Sequence, residues 1–283
     1  MPFYAVGCCR GLETSTKVEL TTLGYLDVKV RDGFVTFSSK GELHDKEVRL
    51  IRTAEWISKI DGEIDDPEGL AGGEAHHVFQ RASLMKGRAK WSNLSLRAYR
   101  RYNHPSALLP STAASVLLLI NMGVDLIDPF VGGGTIVIED RLYLRNHERY
   151  RNLGLKDHRT QGVDINKKHL SGAIKNAKYA GVESEIELLV GDATRYVPDQ
   201  RFGRMITNPP FGVRGAKKMR ILALYERFVV NLERLLDHPG EGVVVTTEWR
   251  EMIGYLEERG YRVRNTLRFR HRKLWLGAVC FDS

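Results

Sequence analysis

Four residues carry the sharpest chemical signal in this sequence: Asn208-Pro209-Pro210-Phe211, directly after the strand-like run Met205-Ile206-Thr207. A double proline can neither continue a strand nor begin an ordinary helix, so it fixes a rigid turn. Pro209 presents a carbonyl and no N–H. The Asn208 amide oxygen and a backbone carbonyl could then both accept protons from one planar exocyclic amine. Such bonds draw lone-pair density back onto nitrogen and aim it at a methyl donor. Phe211 offers an apolar face on which a base can stack. The methylated, transiently cationic amine is acidic enough to need no strong base, so catalysis would be positioning and electrostatics. In isolation, the same four residues would serve equally as a structural turn with a buried phenylalanine.

Upstream, Asp128-Pro129-Phe130-Val131-Gly132-Gly133-Gly134-Thr135 falls between a short buried strand and a helix. Ligands of doubly wound sheets bind beyond the carboxyl ends of the strands. Glycines there let the backbone approach a nucleotide-like molecule closely, and Thr135 can cap the helix. Asp164 ends the second strand and can accept hydrogen bonds from ribose hydroxyls. Asp192 follows the third and can reach an adenine edge. Each acid alone is an ordinary turn or cap residue; together, past successive strands, they describe a pocket for an adenosyl group. Phe130, Ile165 and Ala193 flank these positions and belong with them. The glycines are not followed by the lysine of a phosphate-binding loop, so the pocket suits a cofactor without a pyrophosphate.

These residues need a sheet to hold them. After Pro110 the pattern predicts a helix over 111–121, then strands ending near Asp128, Asp164, Val190, Thr207 and Thr246, alternating with helices. That alternation implies a mainly parallel, doubly wound α/β sheet, and 261–269 with 274–281 read as a closing antiparallel pair. Before it, residues 1–60 predict a small α+β domain in the order βαββα. It has a hairpin about Asp32-Gly33 and an amphipathic helix from Val48 to Ile60. Residues 61–91 read as a linker, acidic and glycine-rich from Asp61 to Gly73. Residues 92–283 form the larger domain.

The 283 residues carry 43 Lys and Arg against 35 Asp and Glu, a net charge of +8 that favours a polyanionic partner such as nucleic acid, or else a solvated basic surface. Cys8, Cys9 and Cys280 have no zinc spacing and fit a reducing cytosol, with the adjacent pair packed at the start of a strand. The apolar run Val116–Ile120 is too short to span a bilayer. A cytoplasmic protein, with neither metal nor membrane as partner, is expected. Arg214, Lys217, Lys218 and Arg220 follow the Asn-Pro-Pro-Phe turn and could hold phosphates on either side of a flipped base. Arg262, Arg264, Arg268, Arg270, Arg272 and Lys273 form a second basic cluster.

Taken together, the sequence resembles the class I S-adenosylmethionine-dependent methyltransferases acting on exocyclic or amide nitrogens. More narrowly it resembles the THUMP-associated family that makes N2-methylguanosine in tRNA or rRNA. The resemblance is carried by Tyr99-Arg100-Arg101-Tyr102-Asn103-His104-Pro105, 128–139, 162–176, Gly191-Asp192-Ala193, and 208–212 with Tyr225 and Phe228. Residues 261–281 also fit. It covers roughly residues 92–283; residues 1–60 more loosely resemble that family's ferredoxin-like domain through Gly11-Leu12-Glu13 and Leu50-Ile51-Arg52-Thr53-Ala54-Glu55.

The resemblance implies a Rossmann-like sheet with an antiparallel final strand. It implies S-adenosylmethionine as cofactor and a guanosine N2 amine in RNA, most readily tRNA, as substrate. Asp128, Gly132 and Gly134 would line the methionine part, Asp164 the ribose and Asp192 the adenine. Asn208 and Pro209 would grip the amine, with Pro210 completing the turn and Phe211 stacking on the base. The segment from His104 and Pro105 to Ser111 would close over the cofactor. Family members insert an RNA-gripping THUMP domain where only residues 61–90 stand here, so a partner chain could supply it. Adenine N6, a protein glutamine amide, or a non-catalytic RNA-binding role are the alternative readings of the same residues.

Overall fold

The computed structural model describes residues 1–60, 86, 89–211 and 216–283. The first 60 residues run β1 (Phe3–Gly7), α1 (Glu13–Thr22), β2 (Leu26–Arg31), β3 (Phe34–Ser38), α2 (Asp45–Val48) and β4 (Trp56–Ile60). The strands form an antiparallel sheet in the order β2-β3-β1-β4, the split βαβ arrangement of ferredoxin-like domains.

The helix expected over 48–60 is absent. Only Asp45–Val48 is helical, and Trp56–Ile60 is a strand paired with β1, with Ile57 opposite Val6. Two causes act together. Trp56 and Ile60 pack on one face of the sheet and Ile57 on the other, so burial on both sides erases the alternation that marks a strand. Second, buried Glu19 of α1 accepts the backbone N–H groups of Arg52 and Thr53 at 2.9 Å each, together with the Thr53 hydroxyl at 2.7 Å. Those amides are then unavailable to a helix. Cys8 and Cys9 are buried, but they follow the end of β1 rather than beginning a strand.

The second sheet is entered through α3 (Pro110–Leu117). It then runs β5 (Leu126–Asp128), α4 (Thr135–Leu144), β6 (Thr160–Asp164), α5 (Lys167–Ala180), β7 (Glu187–Val190), β8 (Phe202–Thr207), α6 (Ala216–Leu235), β9 (Leu236–Thr246), α7 (Trp249–Glu258), β10 (Arg262–His271) and β11 (Leu274–Asp282). Its order is β10-β11-β9-β8-β5-β6-β7. Strand β11 lies between β9 and β10, antiparallel to both, and the other pairings are parallel. The chain reverses its direction of travel at β5, which pairs with β6 on one side and β8 on the other. A crevice opens above such a switch point, off the carboxyl ends of the strands.

The two sheets are tied by buried contacts. Cys9 and Leu12 join one apolar core with Leu108, Ala113 and Phe269. The Arg52 guanidinium pairs with Glu139 of α4, which also accepts from the Tyr99 hydroxyl at 2.8 Å, and Tyr143 donates to Glu19 at 2.7 Å. Among the described residues, no helix is long and apolar enough to cross a membrane, and no group of three or more His, Cys, Asp or Glu could hold a metal ion.

Candidate active site

Strands β5 and β8 end side by side at the switch point, and their last residues are joined. The Asp128 carboxylate accepts the Thr207 hydroxyl at 2.7 Å and the Phe130 N–H at 3.1 Å, both on Oδ1. It is only 2% exposed, and burial pushes its carboxyl up to about 7 against those two hydrogen bonds.

The glycine turn follows. Gly132 (φ 52°) donates its N–H to Asp164 Oδ2 at 3.0 Å, so the turn and the end of β6 are locked together. Gly134 (φ 81°) occupies the cap position of α4, and Thr135, expected as the cap, is the first helical residue. The left-handed backbone at 134 favours glycine, and a Cβ there would stand 3.2 Å from the Ala173 side chain, which would have to give way slightly.

Asp164 also accepts the Asn166 N–H at 2.8 Å, and His169 Nδ1 stands 3.4 Å away. Asp192 accepts the Thr194 N–H and hydroxyl at 3.0 and 2.8 Å. Partial burial works against its charge, but Thr194, Arg195 and Arg227 hold the carboxyl below its ordinary value.

The preceding segment is bound to this turn by one buried side chain. Asn176 of α5 accepts the N–H groups of Arg101 and Tyr102 and donates to the carbonyls of Tyr102 and Gly133. His104 therefore lies over the glycines, its ring edge-on to His169 at 4.4 Å. Burial, and secondarily the neighbouring His169, lower its pKa below the usual imidazole value, against the pull of Asp164.

Asn208 completes the arrangement. Its Nδ2 donates to the Ser106 carbonyl at 2.9 Å, whereas Oδ1 is buried without a hydrogen-bond partner among the described residues. Ser106 offers a carbonyl, which can only accept, so the amide orientation is fixed with the oxygen left over. Behind it the turn is held rigid: the Tyr225 hydroxyl donates to the Pro210 carbonyl at 2.8 Å and contacts Thr246 Oγ1 at the same distance.

A cavity of about 610 Å³ joins these parts. Of the residues expected to bind cofactor, His104, Asp128, Phe130, Gly132, Thr135, Asp164, Ile165, Asp192, Ala193 and Asn208 line it, as does Pro210. Pro105, Gly134, Pro209 and Phe211 do not. The Pro105 carbonyl accepts from Arg272 at 3.3 Å, and Phe211 is half-buried against the core shared by the two sheets. Ser106 and Leu108 line the cavity too, within the segment expected to close over the cofactor, whereas His169, Thr194, Arg195, Leu224 and Arg227 also line it without having been singled out in the sequence. Leu224 and Arg227 share a helix face three residues apart, the one signal that could have found them.

The basic loop divides. Arg214 and the side chain of Lys217 lie outside the described residues. Lys218 is not free for phosphate: it pairs with Glu248 at 2.7 Å and Glu251 at 3.0 Å. Arg220 is exposed on α6.

Residues 97–276 match the family model UPF0020, an RMKL-like methyltransferase domain, and residues 4–57 match the RlmL ferredoxin-like domain. The chain is 36% identical over 180 residues to a tRNA (guanine(6)-N2)-methyltransferase of Archaeoglobus fulgidus, covering 58% of this chain and 45% of that one. It is 30% identical over 258 residues to the protein of the same name from Methanocaldococcus jannaschii, covering 80% and 64%. It thus spans between about half and two thirds of these curated relatives. The crystal structure of TrmN from Thermus thermophilus shares the fold over 100% of both chains, with a TM-score of 0.74 at 20% identity.

Proposed function

Because the chain belongs to the UPF0020 RMKL-like methyltransferase family, we propose that it transfers a methyl group to the exocyclic N2 amine of a guanosine in RNA, most readily tRNA. The observation that carries this reading is the buried Asn208 Oδ1, an acceptor with no donor among the described residues, at the edge of a cavity ringed by three strand-end carboxylates. An unsatisfied acceptor in a folded protein is costly unless a ligand supplies the donor. A planar amine is such a donor. The tRNA (guanine-N2) activity named for the two relatives supports guanine over adenine or a glutamine amide.

S-adenosylmethionine supplies the methyl group when bound, and the residues present fit it. Asp164 would accept from the ribose hydroxyls and Asp192 from the adenine amine. The glycine turn, whose left-handed backbone leaves no Cβ in the way, would pass beside the methionine portion. Asp128 would face that portion's positive charge. No phosphate-binding lysine stands beside the turn, as expected for a cofactor without a pyrophosphate.

On the substrate side, Asn208 Oδ1 and the Pro209 carbonyl would each accept one proton of the amine. Both bonds raise electron density on the nitrogen and fix the plane of the ring. Tyr225 and Thr246 keep the turn from moving as charge develops, so the hydrogen bonds are prepaid. After transfer the surplus proton is lost from a strongly acidic cationic nitrogen to solvent. Phe211 would supply the stacking face, and Arg220 would meet a phosphate beside the flipped base.

The test uses the purified chain with labelled S-adenosylmethionine and unmodified tRNA, followed by digestion and identification of the labelled nucleoside. N2-methylguanosine is expected. Label in adenine or in protein would refute the substrate, and label appearing only after a second chain is added would assign part of the RNA grip to that partner.

A further inference from the structure

The second basic cluster splits in the fold. Arg262 pairs with Asp282 at 2.6 Å, and Arg264 with Asp282 and Glu241 at 3.0 and 3.2 Å, at the end of the β10–β11 hairpin away from the cavity. Arg268, Arg270, Arg272 and Lys273 are exposed and make no ion pair among the described residues. They occupy the other end, where the hairpin tip meets the segment closing the cavity through the contact of Arg272 with the Pro105 carbonyl.

Register sorts these residues by face. Arg268 stands opposite Gly277 and Arg270 opposite Trp275, on the side away from buried Phe269 and Leu276. A Cβ on Gly277 would come within 2.5 Å of Trp249 Cβ, so the missing side chain is what admits Trp249 to this face. The Arg268 guanidinium carbon lies 5.8 Å from the ring centroids of both Trp249 and Trp275. Trp275 is 52% exposed. Beside it a cleft of about 440 Å³ opens against the β2–β3 turn, lined by Arg31, Arg268 and Trp275, by Glu13, and by Arg10 paired with Asp32 at 2.6 Å.

This surface is keyed to the catalytic turn. The Glu248 N–H donates to Thr246 Oγ1 at 3.1 Å, and Thr246 shares its hydroxyl with Tyr225, which holds Pro210. Trp249 is the next residue. Arg250 covers the Trp249 ring at 4.3 Å, which leaves the exposed Trp275 indole, with Arg268 beside it, as the open face. Such a pair suits a nucleobase, whose π-face stacks on indole and whose phosphate meets guanidinium.

We propose that Trp249, Trp275 and Arg268 form a stacking platform for an unpaired nucleobase of the RNA near the target guanosine, with the strand continuing past Arg270 toward the cleft at Arg31. This rests on the RNA methyltransferase reading above and adds where the substrate lies beyond the reacting base.

The test measures binding of an unmodified tRNA transcript, without cofactor, to Trp275→Ala, Trp275→Phe and Arg268→Gln, alongside methylation kinetics. Trp275→Ala should weaken tRNA binding and raise KM about tenfold or more, the scale of one lost base–aromatic stack. Its kcat at saturating tRNA and its affinity for S-adenosylmethionine should stay within about twofold. Trp275→Phe should recover most of the loss. Arg268→Gln should lower the slope of log K against log salt by about one. The fluorescence lost between Trp249→Phe and the Trp249→Phe, Trp275→Phe double variant, which is that of Trp275, should be quenched by tRNA and not by heparin. Unchanged tRNA affinity in Trp275→Ala overturns the platform while wild-type methylation still upholds the activity. Quenching by heparin equal to that by tRNA reduces the surface to charge and overturns it too. A wild-type chain that neither binds nor methylates RNA overturns the activity and the platform together.

Discussion

Asp128→Asn tests whether the site carries a cost that the fold would otherwise shed. The carboxyl stands at about 7 against its ordinary 3.8 because burial penalises the charged form. A carboxyl whose folded pKa exceeds its unfolded value favours the folded state while both are protonated. That advantage is lost as pH rises from 3.8 through 7, and above 7 the loss is constant. At roughly 1.4 kcal/mol per pKa unit the full penalty at pH 8 is about 4 kcal/mol.

Asparagine removes the charge and keeps its contacts. Both hydrogen bonds fall on Oδ1, which the amide retains, and the replaced Oδ2 takes no bond from the described residues in a side chain that lines the cavity. Urea unfolding of both proteins at pH 4 and pH 8 gives the answer, since other titrating groups cancel in the difference. The variant should equal the wild type near pH 4 and exceed it by about 2–4 kcal/mol at pH 8, the upper figure being the whole ionisation penalty. Cofactor affinity should move oppositely, because the neutral amide no longer faces a cation. A variant less stable at pH 8, or one whose stability difference does not change with pH, would refute the argument.

Asn208→Ala should lower kcat about 100-fold or more while S-adenosylmethionine affinity, read by calorimetry, stays within about twofold; full turnover would sink the proposed grip. Asp164→Ala should weaken cofactor binding about 10- to 100-fold, the worth of lost hydrogen bonds to a charged acceptor, and also loosen the turn through Gly132. If calorimetry shows wild-type affinity, the ribose assignment is wrong. Gly134→Ala should cost about 1–2 kcal/mol in urea unfolding, because its φ of 81° is unfavourable for any residue with a Cβ; unchanged stability would contradict the cap geometry.

The chain could be read furthest where local chemistry and position coincide. Asp128, Asp164 and the Asn208 turn each stand at the end of a strand whose apolar run is itself visible, so finding the strand finds the residue. What escaped was decided by partners distant in sequence. Strand β4 escaped because both its faces are covered, and because Glu19, more than thirty residues earlier, takes the amides a helix would need. The basic run around Lys218 suggests a phosphate ligand, yet Glu248 and Glu251, thirty residues later, pair with its ammonium. The leftover Asn208 oxygen depends on the Ser106 carbonyl, about a hundred residues upstream. A carbonyl leaves no trace in residue type.

Two groups at the cavity, Asn208 Oδ1 and the Asp128 carboxyl, stand where a ligand could relieve a cost of burial. Elsewhere, two buried acids are met generously: Asp140 accepts from Arg204, His158 and Thr160, and although burial opposes its charge, these partners hold it at about 2. Glu19 takes four hydrogen bonds. The same fold therefore can satisfy a buried acid where nothing need bind. At the cavity it leaves Asn208 Oδ1 without a donor and raises Asp128 toward neutrality. One deficit calls for an N–H, the other for a positive charge. The planar amine and the sulfonium cofactor proposed above would supply one each, so binding them should relieve both costs and convert local instability into affinity for the two ligands.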